Sequence, residues 1–383
     1  MWVRFPPSAP NYMPSTKKQI EKLLGKAGVK INGPEFFDMQ VFNENLYSCI
    51  LSSGSLGLGE SYMSGWWDVP KLDQFFYKVL SANLDKEFSF SPGIILAYLK
   101  SLIFNLQSIH RAFIVGKKHY DIGNDLYELM LGKTLAYSCG YWDKANNLDD
   151  AQKAKFDLIC RKIKLKKGDN ILDIGCGWGG FLKFVAENYG AKGVGITVSK
   201  EQVEFAKEFC KNLPIEIKMG DYRTISGKFD YIISVGMFEH VGLKNCRTFM
   251  LKTKELLKDN GLLLLHTIGA NESSLISDPW LNKYIFPNGK LPSIAQISKS
   301  VEGLFVVEDL HNFGVSYDKT LMAWFENFDK NWPILKNKYS EKFYRIWKYY
   351  LLSCAGAFRA RKIQLWQFVL SKNGEVGGYK SVR

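Results

Sequence analysis

The sequence has no apolar run long enough to cross a bilayer. A spanning helix needs about 18 to 20 apolar residues, and the nearest candidate, 93–106, is shorter and carries Lys100. Cysteine is sparse, with seven residues and no CxxC pair. That excludes a disulfide scaffold and a zinc ribbon, and no metal is expected. The opening MWVRFPPSAP contains three prolines and no apolar signal core, so the expectation is a soluble, cytoplasmic chain. Acidic residues are under-represented: 38 Asp and Glu stand against 51 Lys and Arg, for a net charge of +13. Such a balance favours anionic partners. A hydrophobic share of 46% with 23% charged residues excludes disordered, collagen-like and coiled-coil classes.

The excess charge is concentrated late. Residues 331–383 hold eleven basic and two acidic residues, interleaved with eleven aromatics that include Trp332, Tyr344, Trp347, Tyr349, Tyr350 and Trp366. Interleaving of this kind suits single-stranded nucleic acid. It also suits a lipid interface, where aromatics sit at headgroup depth. A basic helical pair with its aromatics in the core has the same composition. Charge alone leaves all three open.

Residues 1–110 read as mainly helical, with amphipathic stretches over 16–24, 73–80 and 94–106. The Gly-rich segment 54–68 reads as turns between short helices. No catalytic fingerprint occurs there, so 1–110 is expected to be an accessory domain. Residues 117–143 are dense in Tyr, Asp and Gly and are expected to cover a site. A helix follows over 149–163. From 168 the pattern alternates: strands over 170–174, 193–197, 215–219, 229–235 and 261–267, with helices over 180–188, 200–212 and 247–258. The expected fold is α/β, a doubly wound parallel sheet, with 111–383 as its catalytic domain. Ligands in such sheets lie beyond the carboxyl ends of the strands.

The first of these strands ends in DIGCGWGG. Asp173 precedes Gly175, Gly177 and Gly179 in the order D-x-G-x-G-x-G. Glycines let the backbone turn sharply and approach a ligand. A pyrophosphate would be repelled by the acid; a cationic cofactor would not. The loop resembles motif I of S-adenosylmethionine (SAM) dependent methyltransferases, in which it packs on the methionine and ribose. The acid that usually ends the second strand for the ribose hydroxyls is missing. Thr197 and Gln202 are the polar substitutes. Asp221, with Tyr222, follows the third strand where the class meets the adenine. The fourth strand leads into SVGMFEHVG, not N/D-P-P-Y/F, and there is no Pro-Cys pair. Both absences argue against nucleobase methylation; no nucleic-acid partner is expected, and a nucleic-acid-binding protein on an inactive methyltransferase fold has only the basic tail in its support.

The strings GSLGLGESYMSGWW, KHYDIGND, YSCGYW, LDIGCGWGG, SVGMFEHVG, LLHTIG, DPWLNKYIFPNG, HNFGVSYDKTLMAW and CAGAFRARKIQLWQ together resemble the bacterial cyclopropane-fatty-acyl-phospholipid synthases. The likeness runs from about Gly54 to Phe368. It implies methylene transfer from SAM to a cis double bond in a phospholipid acyl chain. It also implies a homodimer in peripheral contact with an anionic membrane. The alkene is a poor nucleophile, methyl transfer creates a carbocation, and a base must then remove a proton. In the family a bound bicarbonate ion is thought to serve as that base. The resemblance places its cage at Cys139, Glu239, His266, Ile268 and Tyr317. Cys139 and Ile268 act through the backbone, His266 and Tyr317 donate, and Glu239 accepts the ion's proton. It also sets Tyr137 and Ser138 against the SAM carboxylate.

Each residue has a plainer reading. Cys139 suits an inert buried thiol, Glu239 a helix cap, His266 a core histidine and Tyr317 packing beside Phe313. Cys176 is a small loop residue, and His119 receives no role. Tyr137, Tyr141, Trp142 and Phe238 are aromatic candidates for shielding a carbocation. Arg359, Arg361 and Lys362 fit a lipid phosphate or simply a solvated helix end. A related acyl methyltransferase with a methyl-branched product shares the SAM loop and remains the second enzyme reading.

Overall fold

The computed structural model describes residues 13–84, 123–274 and 277–383. The helix expected over 94–106, His119 and the boundary at 110/111 lie outside the described residues. The early elements are α1 (Met13–Lys26), β1 (Gln40–Val41), α2 (Asn45–Met63), β2 (Trp67–Asp68) and α3 (Leu72–Ser81). Next come α4 (Asn124–Leu131) and α5 (Leu148–Lys162). The alternating region is β3 (Asn170–Ile174), α6 (Gly180–Tyr189), β4 (Lys192–Thr197), α7 (Lys200–Phe209), β5 (Ile215–Met219), β6 (Phe229–Val235), the short α8 (Phe238–Val241), α9 (Cys246–Leu256) and β7 (Leu257–Ala270). It is followed by α10 (Pro279–Tyr284), α11 (Ile294–Val301), β8 (Val306–Asn312), α12 (Val315–Leu335), α13 (Glu341–Arg359) and β9 (Ile363–Ser371).

Local chemistry explains the helix starts. Asn147 accepts the Asp150 N–H at 2.9 Å ahead of α5, whose first turn carries Asp149 and Asp150. Ser199 does the same for Gln202 at 3.3 Å ahead of α7. Both are favoured N-cap residues, and acids in a first turn complement the helix dipole. Strand β3, NILDI, is buried along nearly its whole length, as a strand covered on both faces requires.

The large sheet runs β5-β4-β3-β6-β7-β9-β8. The first five strands pair in parallel, as the alternation predicts. The last two correct the all-parallel expectation. Strand β9 lies antiparallel between β7 and β8. Its sequence IQLWQFVLS is buried along eight of its nine positions, an interior strand that the charge of the surrounding tail obscures. A second correction concerns 54–68. This segment is mostly helix: α2 passes through it with a kink at Gly54, where φ is 55°. Its glycines serve close packing. A Cβ on Gly59 would sit 2.2 Å from the Trp280 indole.

The aromatics of 331–383 are largely core. Trp347, Tyr349, Tyr350 and Trp366 are buried, and Tyr349 packs 4.4 Å from Trp280 and 5.1 Å from Phe76. Among the three readings of that stretch, a basic helical pair with buried aromatics describes α12 and α13. The basic residues also join layers. Arg345 donates to the carbonyls of Tyr62 and Trp67 and to Asp68. Arg359 pairs with Asp318 at 2.8 Å and with the buried Asp73 at 2.7 Å. It is therefore a structural clamp and is not free to take a lipid phosphate. Among the described residues no helix is long and apolar enough to cross a membrane.

Removing Arg359 strands the Asp73 carboxylate in the core. Breaking one side of a buried ion pair costs about 3 kcal/mol or more. Arg359→Met should lower the urea midpoint accordingly, and Asp73→Asn in that background should restore part of the loss. An unchanged midpoint would remove the clamp.

Candidate active site

The carboxyl ends of β3, β4 and β6 open onto one pocket. Its walls include Asp173, Gly175, Gly177, Thr197, Gln202, Asp221, Tyr222, Tyr137 and Ser138. The loop that leaves β3 needs its glycines: Gly175, Gly177 and Gly179 have φ of 89°, 55° and 85°, a region costly for other residues. A Cβ on Gly175 would also collide with Met237 at 2.8 Å. Of these three, Gly179 turns away from the pocket and starts α6. Thr197 donates to Gln202 at 2.7 Å, so the two form a joined polar wall. Asp221 is held by a two-pronged Arg223 contact at 2.6 and 2.8 Å. Tyr222 is buried, and that burial pushes its phenol up to about 12.

One pocket residue escaped the sequence reading. Lys155 on α5 is fully buried and lines the pocket beside Asp173. Its Nζ donates to Ser138 Oγ at 2.7 Å. No carboxylate reaches ion-pairing distance of it among the described residues. Burial pushes the Lys155 ammonium down to about 7 and the Asp173 carboxyl up to about 7. A buried amine and a buried carboxyl, each with its charged form disfavoured by desolvation and only partly supported by the other, face one pocket. That arrangement complements a zwitterion, whose own charges would restore both. The available signal was spacing: Lys155 falls one turn after Ala151 and one before Ile159, on the helix's apolar side.

The five residues expected around an anion come from four segments. Glu239 lies in the first turn of α8, just beyond the end of β6. One of its oxygens accepts the Ile268 N–H at 2.6 Å, and its other oxygen, Oε2, is buried with no partner among the described residues. Burial pushes this carboxyl up to about 7, against the pull of the Ile268 bond. The Ile268 amide, expected to face the ion, instead orients Glu239. His266 lies two residues earlier on β7, hence on the same face of the strand. It is 1% exposed, and its Nε2 has no partner among the described residues. Burial and nearby Lys155 and Lys162 hold its pKa well below the usual histidine value, so the ring is neutral.

Tyr317, in the first turn of α12, stacks on Phe358 at 4.5 Å. Phe313, just before that helix, packs 5.7 Å from His266 and 5.3 Å from Tyr141. Cys139 is fully buried, and burial raises its thiol strongly. Thr320 on α12 approaches its sulfur at 3.9 Å and accepts the Gly140 N–H at 3.0 Å. The thiol is thus a packed neutral group and no nucleophile. Residues 137–139 form a shared wall: Tyr137 and Ser138 face the glycine-loop pocket, while Cys139 abuts α12. Of the shielding aromatics, Tyr137 packs against Trp324 at 5.1 Å. Trp142 donates to Thr320 at 2.8 Å. Phe238 lies in the core against Phe249 and is withdrawn from that role.

The two orphaned atoms, a buried acceptor on Glu239 and a buried neutral imidazole nitrogen, fit a small oxyanion that carries a hydrogen of its own.

Comparison with known proteins shows the family. The family described as mycolic acid cyclopropane synthetase matches residues 107–368. Cyclopropane-fatty-acyl-phospholipid synthase of Escherichia coli (strain K12) is 52% identical over 356 residues, covering 93% of each chain. A sphingolipid C9-methyltransferase of Candida albicans is 34% identical over 77% of this chain and 61% of its own. The crystal structure of mycolic acid cyclopropane synthase CmaA1 complexed with SAH and CTAB superposes with a TM-score of 0.64 at 31% identity, covering 68% of this chain and 98% of that one.

Proposed function

Because the chain belongs to the mycolic acid cyclopropane synthetase family, we propose that it transfers a methylene group from SAM to the cis double bond of an unsaturated phospholipid acyl chain, closing a cyclopropane ring. The observation that carries this is the match to the Escherichia coli phospholipid enzyme across 93% of both chains. A likeness confined to the methyltransferase sheet would say nothing of the lipid.

SAM, when bound, supplies a methyl carbon on a sulfonium. The glycine loop brings the backbone against it, Asp173 takes the ammonium, and Lys155 with Ser138 takes the carboxylate. Thr197 and Gln202 meet the ribose; Asp221 and Tyr222 meet the adenine. Bicarbonate, when bound, supplies a base for the proton lost from the added carbon. Glu239 Oε2 accepts the ion's hydrogen, His266 Nε2 donates to it, and Tyr317 and the Cys139 backbone close the cage. Tyr137 and Tyr141 exclude water and present ring faces to positive charge. Residues 1–110 act as the accessory domain that addresses lipid. The enzyme works as a homodimer on the anionic inner face of the membrane, drawn there by its net charge of +13. Salt-sensitive sedimentation with anionic vesicles tests this attachment.

Incubation with methyl-labelled SAM and vesicles of a cis-monounsaturated phospholipid, followed by mass spectrometry of the acyl chains, tests the reaction. The expected product is a labelled chain heavier by one CH₂ and resistant to mild hydrogenation, formed more slowly without bicarbonate. The Candida albicans relative is named a sphingolipid methyltransferase, which gives a second reading substance. Under it the labelled chain would be methyl-branched and would take up hydrogen. Absence of label in lipid, with SAM bound, would overturn both.

A further inference from the structure

Strand β9 carries a side chain that the proposed reaction leaves unused. Gln367 is completely buried. In the sheet register it stands opposite His266 of β7 on one side and His311 of β8 on the other. Its amide lies 3.2 Å from His266 Nδ1, and its remaining oxygen, Oε1, has no partner among the described residues. A glutamine in the interior of a sheet, between two histidines, is an expensive way to fill space, since each buried amide atom must be hydrogen-bonded or pay for its desolvation. An apolar residue would do better unless the amide performs a task.

The charged groups around it restrict what that task is. Lys162 on α5 is fully buried. Its Nζ lies 3.2 Å from His311 Nδ1 and 3.4 Å from Asp309, and Asp309 is in turn held by Arg383 and Ser381. Lys155 approaches from the same helix. His266 therefore has the Lys155 and Lys162 amines of α5 and the neutral His311 of β8 around it. In this field the imidazole stays neutral and carries one ring proton. A neutral imidazole has two tautomers, and the hydrogen bond at one nitrogen selects which nitrogen bears the proton.

We propose that Gln367 is the positioning residue for His266: its amide N–H donates to Nδ1, which forces the ring proton onto Nε2 and aims an N–H donor at the oxyanion. His266 then serves as a fixed donor and not as a base. The opposite orientation of the amide would protonate Nδ1 and leave a lone pair at Nε2, which repels a bare oxygen of the ion whose hydrogen already lies on Glu239. The role assigned to the anion rests on the reading above; the tautomer does not.

Ring-nitrogen correlation NMR on ¹⁵N-histidine protein reads the tautomer directly. The chain has five histidines, and His266→Ala identifies the resonance. The expected result in the full-length protein without additives is a neutral ring protonated at Nε2. Protonation at Nδ1, or an equal mixture, would overturn the proposal. In Gln367→Leu the preference should be lost, with the KM for bicarbonate raised at least tenfold and the KM for SAM unchanged. In Gln367→Glu the carboxylate should accept a proton from Nδ1, and that signal should move to the Nδ1-protonated or doubly protonated form. An unmoved tautomer in a folded Gln367→Glu would also overturn it. Addition of bicarbonate to the wild-type protein separates the two claims. An Nε2-protonated ring that does not respond to the ion leaves the positioning role intact and removes the anion from His266.

Discussion

Glu239→Gln is expected to abolish ring formation and, at the same time, to make the protein more stable above pH 7. The two effects have one origin. Burial raises the Glu239 carboxyl from its ordinary 4.5 to about 7. In the unfolded chain it ionises near the ordinary value. The folded state thus holds a proton that the unfolded state has released, and stability falls as pH rises from about 4.5 to about 7. Above that window the loss is complete, up to about 3 kcal/mol at 1.36 kcal/mol per pH unit. Glutamine does not titrate, and its oxygen can still accept the Ile268 N–H. Thermal melts of both proteins at pH 5 and pH 8 check the sign: the variant should gain at pH 8 and not at pH 5. Activity should fall by about a thousandfold or more, in the range of losing a positioned base, because with the amide oxygen on the Ile268 N–H the NH₂ stands at the Oε2 position and presents a donor where the anion's hydrogen needs an acceptor. In the wild type, activity should rise with pH through about 7 as the carboxyl ionises. A variant that keeps substantial activity, or one destabilised at pH 8, would remove Glu239 from the acceptor role.

Lys155→Met should weaken S-adenosylhomocysteine binding by about 30- to 100-fold and leave methylthioadenosine binding within about threefold. The first ligand has an amino-acid end and the second has none. A hydrogen bond to a charged group contributes about 1.5 to 3 kcal/mol, and each 1.4 kcal/mol is tenfold. Lys155 Nζ already donates to Ser138 Oγ, which leaves the serine's own proton to be donated onward to the ligand carboxylate. Calorimetric titration of both ligands into both proteins completes the comparison. An equal loss for the two would mean that Lys155 holds up the pocket wall and does not read the ligand. Methionine approximates the volume of the lysine stem, so the wall itself is retained.

Both predictions rest on residues of different legibility. Asp173, Gly175 and Gly177 could be found in the sequence because they are contiguous and their requirement is local. A strand must end, a loop must adopt positive φ, and a helix must begin, all within eight residues. The parallel strands were legible for a related reason. Burial on both faces demands short apolar runs, and NILDI and FDYIISV supply them. Strand β9 was equally apolar but lay in a basic, aromatic context, and its antiparallel place between β7 and β8 depends on partners about a hundred and about sixty residues earlier. The kinked helix α2 was misread as turns because its glycines are explained by Trp280, far along the chain.

The sequence by itself determined the class of chemistry. The glycine loop with its preceding acid, the missing nucleobase motif and the long family strings all act through local spacing. The tertiary structure alone decided which side chains are desolvated and which of them lack partners. It turned Arg359 from a lipid ligand into a clamp, made Lys155 a buried cation facing Asp173, directed the Ile268 amide to Glu239, and set Gln367 between two histidines. Those outcomes depend on distance and burial between segments remote in the chain. Electrostatic interaction strengthens as water is excluded, so the charges that matter most are those whose surroundings no linear pattern records.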